Sequence, residues 1–217
     1  GSAATVPMCD ALAELAAKNG ANRVVTLRDI SLLVVIPPAD PYDPKKEFGI
    51  RGLCLVYLGN LEGYQGIDLL LQSFAIYCRQ SQATDLVIIG GAPEHVAHYR
   101  TRARVLGIGT KTHFAGPKPL GAMTAIFESA DILVSPRIQG NNTPMKIYSY
   151  MDSGRPVLAT NRSTHTQVLD NTTALLAEPE PQAFADAMKK LADDAELRCR
   201  LAAAAKAVAA ERYSYRA

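Results

Sequence analysis

Two cations stand on either side of a short polar loop in the stretch SPRIQGNNTPMKIYSYMDSG: Arg137 before it and Lys146 after it. Between them come Gln139, Gly140, Asn141 and Asn142, then Thr143 and Pro144. Glycine and asparagine give a flexible polar loop, and surface turns use the same residues. Thr143 is placed to cap a helix that Pro144 opens, since proline at the first helical position gives up an N–H that would be unpaired anyway. The cap accounts for Thr143 and Pro144 but not for the two cations. A helix start bracketed by a guanidinium and an ammonium suits a phosphate-sized anion, so phosphate binding is the chemistry these residues offer.

Other chemistries lack their residues. There is no GxSxG nucleophile elbow, no HExxH, no GxxxxGK[ST] and no GxGxxG, so neither acyl transfer, zinc hydrolysis nor a dinucleotide fingerprint is indicated. The cysteines Cys9, Cys54, Cys78 and Cys199 form no CxxC or Cys/His cluster. They read as buried thiols of a reduced, cytosolic protein. His95 and His98 have no acidic or cysteine partner at metal spacing, His113 lies in a strand, and His165 falls among hydroxyls in NRSTHTQVL after a strand. No metal or cofactor is implied.

Three further loops end apolar runs and lead into helices. GNLEGYQG holds Gly59, Asn60 and Gln65, GGAPEH holds Gly90 and Gly91, and AGPKPLG holds Pro117 and Lys118. Tight strand-to-helix turns explain these glycines without a ligand. Alternatively, Gly59 admits a ligand to the backbone and the following helix offers it free N–H groups.

The elements that must position these loops alternate regularly. GLCLVYLG, TDLVIIGG, KTHFAG, DILVSP, RPVLATN and TALLAEP read as strands. GIDLLLQSFAIYCRQSQ, with Leu70, Phe74 and Tyr77 on one face, EHVAHYRTRARVLGI, LGAMTAIFESA and NTPMKIYSYMDSG read as helices between them. From Pro181 to about Tyr213 the alanine-rich pattern is helical. Six strands with intervening helices predict an α/β fold: a doubly wound parallel sheet, Rossmann-like, with right-handed crossovers. All four loops then lie at one edge, beyond the carboxyl ends of the strands, where such sheets bind ligands. Ahead of the sheet, VPM and RVVTL flank a helical CDALAELAAKNG, and the proline-rich run after ISLLVV reads as a linker.

The chain has 217 residues, of which 48% are hydrophobic, enough for one large core or a domain and a half. A net charge of +2, from 23 basic and 21 acidic residues, gives no electrostatic reason to expect nucleic acid, and the absence of tryptophan argues against a stacking platform. No apolar run approaches the roughly 20 residues of a membrane span, and no signal-peptide pattern is seen. Gly1-Ser2 reads as the scar of a removed tag. Arg100, Arg102 and Arg104 make a basic helix face that either touches an anionic membrane surface or is simply solvated.

In order and spacing, LVYLGNLEGYQGIDLLLQSF, LVIIGGAP, THFAGPKP, ESADILVSPR and TPMKIYSYMDSGRPVLAT resemble the C-terminal, donor-binding domain of GT-B-fold retaining glycosyltransferases of family 4, over about residues 50–213. The resemblance implies a division into a remnant of the N-terminal acceptor domain at 3–37, a linker at 38–49 and a nucleotide-sugar-binding domain at 50–217. It implies transfer of a hexosyl unit from a nucleotide-diphosphate sugar to a glycan or lipid-linked acceptor, in the cytoplasm or at the inner face of the membrane. It places the base against Pro117 and Lys118, and the diphosphate against Gly59, Asn60, Gln65 and the Asn142–Thr143 backbone. Gln139 and the 140–143 backbone would meet the sugar, and Ser149 the ribose. The family's first loop commonly reads GRLxxxKG, and its signature carboxylates bracket the later loop. Asn60, Gln65, Gln139 and Ser149 stand at those four positions without charge. Arg137 and Lys146 would then neutralise the diphosphate from the other side. A nucleotide-sugar epimerase of the same fold, or a non-catalytic scaffolding module with a degenerate site, are the alternatives.

Overall fold

The computed structural model describes residues 3–33, 42–81 and 83–214. The expected linker residues 38–41 and the end of ISLLVVIPP lie outside the described residues. Helix α1 (Asp10–Lys18) precedes α2 (Pro44–Phe48), and β1 (Leu53–Leu58) opens the sheet. Then come α3 (Ile67–Cys78), β2 (Thr84–Ile89), α4 (Pro93–Val105), β3 (Thr112–Gly116), α5 (Met123–Ser129) and β4 (Ile132–Ser135). The chain continues through α6 (Lys146–Asp152), β5 (Val157–Thr160), α7 (Ser163–Thr166) and β6 (Leu175–Ala177) to α8 (Pro181–Asp193) and α9 (Ala195–Arg212).

The six strands form one parallel sheet in the order β3-β2-β1-β4-β5-β6. The six apolar runs read from the sequence are these six strands. Strand alternation assigns the side chains to two cores. Leu55, Tyr57, Leu86, Ile88, Ile132 and Val134 point to the side where α3, α4 and α8 lie. Cys54, Val56, Val87, Ile89, Leu133 and Ala159 point to the side covered by α5, α6 and the later part of α9. A sheet covered on both faces needs continuous apolar strands, which explains why LCLVYL and DLVII lack polar interruptions. Strand order reverses between β1 and β4, so the loops after these two strands diverge and leave a crevice at their carboxyl ends.

Ahead of the sheet, Thr5 pairs in parallel with Val24 across α1. Leu27 N–H donates to Pro7 O at 2.9 Å, continuing that pairing. In the region read as linker, Asp43 Oδ1 accepts from Lys45 N–H at 2.9 Å and so caps the short α2. Lys45 Nζ reaches Asp131 Oδ2 at 2.6 Å, and Asp131 also accepts from Cys54 N–H at 2.7 Å. Phe48 stacks on His113 at 4.7 Å between ring centroids. These contacts tie α2 to Asp131, just ahead of β4, and to β3.

The helix over NTPMKIYSYMDSG starts later than the sequence suggests. Regular helix begins at Lys146, with Met145 in the cap position, so Thr143 and Pro144 precede it rather than cap and open it. Ile147 N–H closes on Pro144 O at 2.9 Å, a tighter turn that carries the chain from the loop into α6.

The faces of α3 supply a direct test of the packing. Leu70, Phe74 and Tyr77 are all buried, and Tyr77 Oη lies 2.6 Å from Thr84 Oγ1. Phe74→Ala is expected to destabilise the fold by about 3–5 kcal/mol, read from urea unfolding, because it opens a cavity in the α3–α8 layer. Tyr77→Phe should cost about 1–3 kcal/mol by leaving the buried Thr84 hydroxyl unpaired.

Candidate functional site

The loops that follow β1 and β4 meet over the sheet's carboxyl edge. They form a cleft of about 330 Å³ lined by Gly59, Asn60, Gln65, Arg137, Asn142, Pro144, Lys146 and Ser149, with Leu32, Leu58, Met123 and Met145 as its apolar wall. A second, wider cleft of about 430 Å³ shares Leu58, Gly59, Asn60 and Met123 with the first. It runs towards β3 past Gly90, Gly91, Pro117, Lys118, Glu62 and His95. Together the two clefts bring most of the residues singled out in the sequence onto one continuous surface.

Lys146 occupies the junction. Its Nζ is buried and has no hydrogen-bond partner among the described residues. It sits 3.9 Å from the centroid of the Tyr57 ring, whose π face attracts a cation. Tyr57 is fully buried and its hydroxyl donates to Asn60 O at 2.6 Å, so the ring is held flat under the ammonium. At Gly59, φ is +152°, and a Cβ there would lie 3.3 Å from Lys146 Nζ and 3.0 Å from Tyr57 Oη. A side chain at this position would crowd the ammonium, so glycine keeps the approach to it clear.

Arg137 is 8% exposed and stands opposite. Its Nε donates to Gln139 O at 2.8 Å, its Nη2 donates to Asn142 Oδ1 at 3.0 Å, and its guanidinium lies 5.1 Å from the Tyr64 ring centroid. The guanidinium also fills the space above Gly140, where φ is +123° and a Cβ would come within 2.2 Å of Nη2. Burial depresses both cations: desolvation lowers Arg137, and desolvation with repulsion from Arg137 brings Lys146 down to about 7. Gln65 is buried beside them, and its Oε1 has no partner among the described residues. Two concentrated positive groups thus face one small cleft, and the unmatched Gln65 Oε1 in it is an acceptor that calls for a donor such as a hydroxyl. An anion there would supply the cations with the counter-charge that the protein itself does not.

Several expected residues stand differently. Gln139 is exposed and touches the site through its backbone carbonyl. Gly140, Asn141 and Thr143 line neither cleft. Asn141 O instead accepts from Gln167 Nε2 at 3.1 Å and lies 3.6 Å from Cys9 Sγ, which ties the loop to the start of α1. Ser149 borders the cleft, but it is buried and its Oγ accepts from Leu32 N–H at 3.0 Å. Lys118 Nζ turns to the Tyr42 ring, 3.9 Å from its centroid, and to Glu47 at 4.0 Å. His165 belongs to α7 rather than to an irregular loop after the strand, and it is fully buried. His113 is tied to Asp85 at 2.9 Å. Among the described residues no group of His, Cys, Asp or Glu could hold a metal ion, and no helix is long and apolar enough to cross a membrane. Sequence reasoning missed Tyr57 and Tyr64, the two rings beneath the cations. Their aromatic character was visible, but not that each would lie under a charge.

The family model for glycosyl transferases group 1 matches residues 43–208. A D-inositol 3-phosphate glycosyltransferase of Corynebacterium diphtheriae is 27% identical over 158 residues, covering 70% of this chain and 37% of that protein. The putative glycosyltransferase YtcC of Bacillus subtilis is 28% identical over 163 residues, covering 70% and 40%. The chain thus spans about two fifths of the length of these curated relatives. Among solved structures, Anabaena HepE in complex with UDP and glucose superposes with a TM-score of 0.82 at 14% identity, over 98% of this chain and 60% of that one. The C-terminal domain of a group 1 family protein, LpcC, from Francisella tularensis gives 0.71 at 18% identity, over 86% of this chain and 99% of that one. At these identities the likeness is one of fold, the Rossmann-like sheet of GT-B glycosyltransferases.

The buried ammonium has a stability signature. Lys146 falls to about 7 in the folded chain against an ordinary 10.5, so between those values the unfolded chain binds the extra proton and stability rises with pH. Below about 7 both states are protonated and the full cost of burying the charge is present. Lys146→Met should therefore raise the melting temperature, by a few kcal/mol equivalent below about pH 7. That gain should shrink steadily towards about pH 10. Parallel melting curves of the two proteins across this range check it; a gain independent of pH would show that burial does not shift the titration of Lys146.

Proposed function

Because the chain belongs to the group 1 glycosyl transferases, we propose that it is the nucleotide-sugar-binding part of a retaining glycosyltransferase. Its donor is a nucleotide-diphosphate hexose. The observation that carries this reading is the unpartnered Lys146 ammonium beside Gly59 and Arg137 at the carboxyl edge of the sheet. The diphosphate lies in the narrower cleft, against Lys146, Arg137 and the backbone at Gly59. The nucleoside extends along the wider cleft towards Gly90, Gly91 and Pro117. Ser149 already accepts a bond from the Leu32 amide, so it meets the ribose with its remaining O–H or not at all.

The chemistry follows from charge. Cleaving the sugar–phosphate bond leaves negative charge on the departing diphosphate while the sugar carbon becomes oxocarbenium-like. Two fixed cations in a desolvated cleft stabilise that developing charge more than they stabilise the intact donor. The cations are provided by the protein itself, with Tyr57 and Tyr64 keeping them in place. The acceptor, a glycan or lipid-linked sugar, and any group that activates it come from outside the residues described here. The chain by itself therefore binds donor and transfers no sugar.

A thermal-shift panel of UDP, GDP, ADP and dTDP tests the reading, since a ligand of the native state alone raises the melting temperature. Stabilisation by one nucleotide is expected, with UDP the first to try because HepE was solved with it. Lys146→Ala should weaken that nucleotide about ten- to a hundredfold, the worth of a charge-assisted contact. Silence across the panel for both this chain and a form joined to an acceptor domain would favour a scaffolding role.

Binding should also take up a proton. A diphosphate restores the charge on an amine that is half deprotonated near 7. Affinity should then fall by up to about tenfold per pH unit above 7.5, a range where the nucleotide's own phosphate is already ionised. Calorimetry in buffers of different ionisation enthalpy reads the uptake directly. No uptake at pH 8 would remove Lys146 from the phosphate contact.

A further inference from the structure

Behind Arg137 runs a chain of buried polar groups that the cleft itself does not use. Ser135 ends β4, Thr160 ends β5, and His165 comes from α7; all three are fully buried. His165 Nε2 lies 2.9 Å from Ser135 Oγ. Its Nδ1 lies 2.9 Å from Thr160 O and 3.0 Å from Thr160 Oγ1. The Thr160 hydroxyl donates to the main-chain carbonyl of Arg137.

The protons in this chain can be placed by elimination. A hydroxyl has one proton, and that of Thr160 goes to Arg137 O, so towards the imidazole Thr160 Oγ1 can only accept. Thr160 O is a carbonyl and also only accepts. Nδ1 must therefore carry the hydrogen. Burial, with Lys146 and Arg137 nearby, pushes His165 down to about 3, so the ring is neutral and Nε2 is bare. Ser135 then donates to Nε2. The three bonds run in one direction, from Ser135 through the imidazole and Thr160 to Arg137.

The last link matters because of where it ends. The peptide joining Arg137 to Ile138 is held on both sides: its carbonyl by Thr160, and its N–H by Tyr64 O at 3.0 Å. Tyr64 is also the ring under the guanidinium. With that peptide plane fixed, the Cα–Cβ direction of Arg137 is fixed, and its Nε and Nη2 find Gln139 O and Asn142 Oδ1. We infer that His165, as the neutral Nδ1–H tautomer, is a positioning residue that orients Arg137 for the donor phosphate through Thr160. The inference rests on the diphosphate reading of the cleft, but its structural half can be tested without ligand.

Two substitutions separate positioning from mere packing. Thr160→Val and Ser135→Ala each remove one hydrogen bond from the same imidazole, but only the first releases the Arg137 carbonyl. Long-range proton–nitrogen NMR correlations on the whole chain should find His165 protonated at Nδ1 and bare at Nε2 near neutral pH. The Arg137 Nε–H should exchange with water about tenfold faster in Thr160→Val and stay close to wild type in Ser135→Ala. UDP affinity should fall about two- to tenfold in Thr160→Val, the worth of one such bond, and be unchanged in Ser135→Ala. The opposite tautomer, or equal effects of the two substitutions, would overturn the inference. Arg137→Ala keeps the two readings apart. If it leaves UDP binding unchanged, the phosphate assignment fails, while the tautomer and exchange results still decide whether His165 orients Arg137. If Arg137→Ala weakens UDP and Thr160→Val does not, the positioning inference alone fails.

Discussion

The site depends on holding two like charges side by side, out of water. Arg137 is buried by the loop after β4, and the Lys146 ammonium is buried at the head of α6. Burial depresses the protonation of both, and Arg137 further depresses that of Lys146. Removing a cation from water without a counter-charge costs several kcal/mol in a protein interior. What offsets this here is modest: two aromatic faces, one carbonyl and one amide oxygen. The rest of the fold can be understood as the scaffold that imposes such an arrangement. Parallel strands buried on both faces contribute a rigid edge, and the reversal of order between β1 and β4 opens room for both cations.

That scaffold was largely legible in the amino-acid sequence, for a physical reason. A strand covered on both faces must be apolar throughout, so LCLVYL, DLVII and ILVS stand out without any knowledge of their neighbours. Their order along the chain, with helices between, then restricts the topology to a doubly wound sheet and puts every strand-to-helix loop at one edge. Arg137 and Lys146 could be singled out because no local role explained them. What a linear pattern does not encode is which groups meet across elements. The Tyr57 ring beneath Lys146 comes from β1, and the Tyr64 ring beneath Arg137 comes from the turn after it. Likewise Thr143 looked like a cap, but the chain tightens through Pro144 and regular helix starts only at Lys146. Ser149 gave no sign that the Leu32 amide, far away in sequence, would claim its hydroxyl.

His165 illustrates the same limit from the opposite side. Surrounded by hydroxyl residues in NRSTHTQVL, it read as a polar-loop residue after a strand, because local composition is all a short window can report. Its burial arises from α7 folding back against the ends of β4 and β5, where the hydroxyls of Ser135 and Thr160 saturate both ring nitrogens. A buried imidazole with both nitrogens satisfied is rigid, and rigidity is the property a neighbouring guanidinium needs if it is to point at a ligand before the ligand arrives.

The placement of charge also explains how the neutral positions in the first loop can be tolerated. Asn60 and Gln65 stand where the family resemblance implies cations, and neither carries charge. Yet two cations, contributed by the later loop and by α6, line the same cleft as Gly59. Electrostatic stabilisation of a diphosphate depends on distance and dielectric, not on which strand supplies the charge. On the proposed reading, cations placed across the crevice act on the same phosphate while leaning on different groups. Lys146 is fixed by α6 and the Tyr57 ring, so its ammonium remains desolvated before any ligand binds. A cation prepared in this way would lose less hydration on meeting the proposed diphosphate. The protein supports that cost in the empty state, through its lowered stability near neutral pH, rather than at the moment of binding.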